Sequence, residues 1–128
     1  MRHDPLADVF STLKSTEAIG RKECIVPNSK LIRSILKVIK DNKYIGNFRL
    51  IEDGRGGRVK VGLVGRINNC NVIKPSFSVK KAEFIKFEKR YLPAQNVGIL
   101  ILTTSKGIMD QKEAKNKGTG GRLLGYVY

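Results

Sequence analysis

The chain has 128 residues, 41% of them hydrophobic, with 25 Lys and Arg against 11 Asp and Glu and a formal net charge of +14. That length and apolar content are enough to bury a core in one body of one or two lobes, and they exclude a disordered chain. Residues 1–64 hold thirteen basic and seven acidic groups and residues 65–128 hold twelve and four, so the charge belongs to the folded body and calls for a polyanionic partner.

Asp4-Pro5 reads as a helix start, with Asp4 as N-cap and Pro5 at the first helical position. Leu6, Val9, Phe10 and Leu13 recur at helical spacing on one buried face, and Gly20 stops the helix. Glu23 to Val26 read as a short strand ended by Pro27. A second helix is expected from Asn28 or Ser29 to about Asn42. Leu31, Ile35, Val38 and Ile39 form its apolar stripe, and Lys30, Arg33, Lys37 and Lys40 a basic ridge on another face.

Phe48 to Ile51 and Arg58 to Val64 read as paired strands around the glycine-rich turn Glu52 to Gly57, which completes an α-β-α-β-β unit. Gly65 to Ser78 carries no periodicity, although Asn68-Asn69 suggests a turn. Ala82 to Tyr91 places Phe84, Phe87 and Tyr91 at helical spacing before Pro93. Val97 to Thr104 is apolar enough for a central strand covered on both faces. Thr103 to Gly107 leaves that strand as a polar loop, Asp110 with Glu113 resembles a capping box for a short helix to about Lys117, and Arg122 to Tyr128 form a terminal strand. The expected fold is α+β, an N-terminal α-β-α-β-β domain over 1–65 packed on a smaller, mostly β domain over 66–128 with one short helix.

No catalytic set assembles from these residues. His3 is the single histidine, Ser105 lacks the G-x-S-x-G context and a base, and the carboxylates are dispersed among lysines. Lys115 to Gly120 weakly resembles the pyrophosphate loop of acetyltransferases, but that loop opens a helix and this one closes a helix. Cys24 and Cys70 stand 46 residues apart, without zinc or disulfide-scaffold spacing, and read as free buried thiols. No metal, cofactor or small-molecule substrate is therefore expected. No apolar stretch approaches the roughly 18 residues of a membrane span, and the N-terminus lacks a secretory h-region, so no membrane partner and a cytoplasmic location are expected.

RNA suits the remaining features. Cations supply affinity without reading sequence, whereas hydroxyls and exposed backbone groups reach base edges and ribose 2′-hydroxyls in the shallow minor groove of A-form RNA. Composition alone leaves Thr103 to Gly107 between such a reading loop and a plain strand-to-helix connection.

Asp4-Pro5-Leu6-Ala7-Asp8, Pro27-Asn28-Ser29-Lys30-Leu31, Tyr44-Ile45-Gly46, Thr104-Ser105-Lys106-Gly107-Ile108-Met109, and Gly120-Gly121 followed by Gly125-Tyr126-Val127-Tyr128 resemble the small-subunit ribosomal protein eight family. The resemblance covers essentially the whole chain. The middle, through Asp53-Gly54-Arg55, Gly65-Arg66-Ile67-Asn68, Ile73-Lys74-Pro75 and Glu88 to Pro93, resembles the archaeal and eukaryotic cytosolic branch. It departs from that branch at Cys70-Asn71 and Ser76-Phe77, where the family carries Cys-Gly and Arg-Phe. The resemblance implies a two-domain, non-enzymatic protein that binds a stem in the central domain of small-subunit ribosomal RNA and helps its assembly, beside neighbouring small-subunit proteins. On it, Thr104, Ser105, Lys106 and Gly107 enter the minor groove, and Ser29 and Lys30 make a second contact. Arg33, Lys37, Arg55, Arg58, Arg90, Gly120, Gly121 and Arg122 complete the expected RNA-binding set.

Overall fold

The computed structural model describes residues 5–52, 54, 57–74, 77–94 and 97–128. The expected Asp4 cap, Arg55, Pro75 and Ser76 lie outside them.

Helix α1 (Pro5–Ala18) buries Val9, Phe10 and Leu13. It ends where Gly20 takes φ 76°, a left-handed value that costs glycine nothing, and the N–H groups of Gly20 and Arg21 donate to the carbonyls of Glu17 and Thr16. Helix α2 (Lys30–Asp41) buries Ile32, Ile35, Leu36, Val38 and Ile39. Leu31, expected in that stripe, is 43% exposed. Ile35, Val38 and Ile39 of that stripe are buried together with Ile32 and Leu36, and Leu31 stays at the edge of the apolar face in the first turn of the helix. Lys30, Arg33, Lys37 and Lys40 remain exposed as the ridge required.

Strands β1 (Glu23–Pro27), β2 (Ile45–Ile51) and β3 (Arg58–Leu63) form an antiparallel sheet in the order β1-β3-β2. Cys24, Val26, Val59, Val61 and Leu63 face the helices, while Lys60 Nζ lies 3.1 Å from Glu23 Oε1 on the outer face. Strand β2 begins at Ile45, earlier than the alternation from Phe48 suggested, and an irregularity in register separates Ile45 from Phe48.

The second sheet runs β4 (Cys70–Val72), β8 (Gly121–Val127), β6 (Ile99–Thr104), β7 (Gly107–Asp110), with β5 (Ser78–Val79) also on β8. Against it lie a 3₁₀ turn (Lys81–Glu83), α3 (Phe84–Tyr91) and α4 (Gln111–Asn116). Strand β6 is central and covered on both faces, as its unbroken Ile-Leu-Ile-Leu run demanded. Ile99 and Ile101 enter a cluster with α1, α2 and the first sheet, whereas Leu100 and Leu102 enter a second cluster with Phe84, Phe87, Met109 and Leu123.

Gln111 is the buried polar residue of this core among the described residues, at 1% exposure. Pairing of β6 with β7 starts at Ile101 and Asp110, one residue short of Leu100, and Gln111 Oε1 accepts the Leu100 N–H at 2.8 Å in place of a strand carbonyl. Gln111→Leu keeps the bulk but orphans that N–H, so urea denaturation is expected to show a loss of about 1–3 kcal/mol. A loss near zero would mean the amide is satisfied some other way.

Cys24 and Cys70 are free and buried. Burial lifts the Cys24 thiol from 9.0 to about 11 and the Cys70 thiol to about 12. Both folded values exceed the unfolded one, so the thiols favour the fold fully below pH 9.0 and lose that contribution as pH rises through about 11 to 12. Urea midpoints between pH 8 and 11 should fall more steeply for this chain than for its Cys24→Ala, Cys70→Ala variant.

Candidate nucleic-acid interface

The stretch from Thr103 to Gly107 is a β-hairpin and not a strand-to-helix connection. Thr104 pairs with Gly107, and Ser105 and Lys106 form a two-residue turn between β6 and β7. Sequence periodicity missed β7 because its four residues are too few to establish an alternation. The Thr104 hydroxyl shapes the turn, donating to the Gly107 carbonyl at 2.9 Å and accepting the Lys106 N–H at 3.0 Å. Gly107 has φ 115°, a conformation other residues rarely adopt. With Thr104 occupied in this way, the exposed Ser105 hydroxyl is the group presented outward, and no described residue bonds to it.

Two other segments wall this turn. Helix α4 is capped by Asp110, whose Oδ1 accepts the Glu113 N–H at 2.8 Å. It closes at Gly118 (φ 65°), with the Gly118 N–H donating to Lys115 O at 3.1 Å and the Thr119 N–H to Ala114 O at 3.0 Å. Lys106 Nζ reaches across to donate to the Lys117 carbonyl at 3.4 Å. Beyond it, a β-carbon at Gly121 would fall 2.5 Å from the Thr103 carbonyl oxygen and 2.9 Å from Thr104 Cγ2. Only glycine allows β8 to start so close to the hairpin, and Arg122 then pairs with Thr103. Thr104, Ser105, Lys106, Gly107, Gly120, Gly121 and Arg122 are thus gathered at one end of the second sheet.

The remaining candidates lie elsewhere. The Ser29 hydroxyl oxygen accepts the Ile32 N–H at 3.1 Å as the N-cap of α2, which leaves its O–H and one lone pair for a further partner. Lys30, Arg33 and Lys37 project from α2, and Arg58 pairs with Pro27 beside the helix start. Arg90 joins neither group. Its guanidinium sits 5.1 Å from the Phe77 ring centroid and 5.5 Å from that of Tyr91, next to a stack of Tyr91, Tyr126 and Tyr128.

The helix ridge and the hairpin are tied together by a bond that sequence reading missed. Asn42 Nδ2 donates to Val38 O and to Asp110 Oδ2, each at 2.8 Å, linking the last turn of α2 to the end of β7. The Lys117 carbonyl, the anchor of Lys106, was missed as well. Neither carries a local signal, because each works only through a long-range contact.

Chemically, the hairpin offers one free hydroxyl, a nearby cation and a rigid backbone, and α2 offers a row of cations. Among the described residues no group of His, Cys, Asp or Glu could hold a metal ion, and no helix is long and apolar enough to cross a membrane. Such an arrangement can grip phosphates and meet bases or riboses.

The comparisons agree with that chemistry. The family model described as Ribosomal protein S8 matches residues 4–128. The chain is 52% identical over 126 residues to the small ribosomal subunit protein uS8 of Methanococcoides burtonii, covering 98% of this chain and 97% of that protein. It is 54% identical over 129 residues to the small ribosomal subunit protein uS8 of Picrophilus torridus, covering 100% of both. With a family match over almost its whole length and relatives more than half identical end to end, the chain belongs to the ribosomal protein S8 family, a family of ribosomal proteins and not of enzymes.

Proposed function

We propose that this ribosomal protein is a structural constituent of the small subunit, that it binds a stem in the central domain of small-subunit ribosomal RNA, and that it helps that domain assemble. It works in the cytoplasm, in contact with neighbouring small-subunit proteins. Residues 1–65 form the adhesive unit, with Ser29, Lys30, Arg33, Lys37, Arg55 and Arg58 on phosphates. Residues 66–128 form the reading unit, with Thr104, Ser105, Lys106 and Gly107 in the minor groove and Gly120, Gly121, Arg122 and Arg90 at its margins.

The observation that carries this reading is the exposed Ser105 hydroxyl on a turn already locked by Thr104 and Gly107. A turn whose backbone is set before the RNA arrives loses little entropy on binding, which favours recognition of an irregular site over plain adhesion. Replacing Ser105 with Leu is expected to weaken binding to the central-domain stem by about 1–3 kcal/mol, measured by filter binding, while leaving an unrelated duplex unaffected. Equal losses on both RNAs would reduce the turn to a connector.

A further inference from the structure

Two of the most exposed aliphatic side chains, Ile19 at 68% and Val64 at 52%, lie at the same end of the first sheet. The Leu63 N–H donates to the Lys22 carbonyl at 2.7 Å, which fastens the turn after α1 onto the end of β3. Beside that bond is a cavity of about 440 Å³ walled by Leu63, Val64 and Ile67 on one side and by Glu17, Arg21 and Lys22 on the other. Arg21 and Lys22 are exposed, and among the described residues neither is ion-paired.

RNA is a poor occupant for this cavity. Its aliphatic walls gain nothing from a phosphate. An acidic peptide answers both features: an aliphatic side chain against Leu63, Val64 and Ile67, and carboxylates facing Arg21 and Lys22. The location suits a partner other than the RNA. Pairing of β1 with β3 runs from Pro27 and Arg58 at one end to Glu23 and Gly62 at the other, so the cavity lies at the far end of the sheet from Arg58 and the start of α2. Isolated exposed aliphatics are ordinary, but Val64 on the wall of a charged cavity, with Ile19 next in the chain to Gly20 of its lining, has the anatomy of an interface core with a polar rim.

We propose that this cavity docks a neighbouring small-subunit protein through an acidic segment bearing an aliphatic side chain. The inference rests on the small-subunit reading above. To test it, a benzophenone amino acid is placed at position 19 of the full-length protein, small subunits are assembled with it and purified, and the adduct formed on irradiation is identified by mass spectrometry. The expected product is an adduct to an acidic, aliphatic stretch of one ribosomal protein. Its yield should fall roughly tenfold when Val64→Asp or Lys22→Glu is added, while affinity for the RNA stem stays within about twofold. An adduct to ribosomal RNA, or none, overturns the docking site and leaves the small-subunit reading standing. Failure of the unlabelled protein to enter small subunits defeats that reading and the docking site with it.

Discussion

Raising monovalent salt from about 50 to about 200 mM is expected to cut affinity for the central-domain stem roughly a thousandfold or more, the loss that follows from neutralising about six phosphates on a duplex. Six of the described candidate cations are exposed on the two surfaces: Lys30, Arg33, Lys37 and Arg58 around α2, and Lys106 and Arg122 at the hairpin. Each released counterion contributes about 0.9 to the slope of log affinity against log salt, so Lys37→Ala should lower that slope by about one and weaken specific and unrelated RNA alike. Ser105→Leu should leave the slope unchanged while lowering specific affinity. The two variants therefore separate adhesion from reading. A flat salt dependence would show that the net charge serves something other than the stem, and a sequence-selective loss at Lys37 would mean the ridge reads bases.

The second large effect concerns the joint between the two sheets. Phe10 is fully buried in the cluster shared by α1, α2, the first sheet and the inner face of β6. A β-carbon at Gly125 would lie 2.6 Å from Phe10 Cζ and 2.8 Å from the Asn71 carbonyl oxygen, so β8 accepts the ring edge only where it has no side chain. Phe10→Ala is expected to cost about 3–5 kcal/mol from lost burial and the cavity left behind. Gly125→Val should cost at least the upper end of the usual overpacking range of about 1–3 kcal/mol, because one of the atoms it meets is backbone and cannot rotate away. Combining Gly125→Ala with Phe10→Leu should cost less than the two singles added, since the smaller ring-free side chain leaves room for the methyl group. Thermal unfolding reads both effects, with the Phe10→Ala midpoint falling by roughly 10 °C or more. Additive losses in the double variant would mean that Phe10 and Gly125 do not constrain each other.

Legibility followed the range over which each signal acts. The helices over residues 5–18 and 30–41 were readable because their apolar spacing and terminal glycine or serine are local, and β6 was readable because four consecutive aliphatics leave few alternatives to a doubly covered strand. Leu31 departs from its expected stripe because it lies at the edge of the apolar face in the first turn of α2, where only tertiary contact decides burial. Strands β4, β5 and β7 have 3, 2 and 4 residues, too short for period-two alternation to emerge, and they exist because β6 and β8 offer edges to pair with. The candidate site divides in the same way. Thr104, Ser105, Lys106 and Gly107 stand out as a contiguous motif, but the engagement of the Thr104 hydroxyl, which leaves Ser105 as the presented group, depends on the hairpin register.

By itself the sequence determined the ribosomal family, the α+β character, the basic ridge of α2 and the demand for a polyanion, since all of these are carried by residue identity and short-range spacing. Only the tertiary structure decided that the turn at Ser105 meets the end of α4 and the Gly120-Gly121 segment, and that α2 is bound to β7. The Asn42 to Asp110 hydrogen bond that makes the second link joins residues 68 positions apart. No window of sequence contains both partners of such a bond, and its geometry exists only after the two clusters have packed against opposite faces of β6.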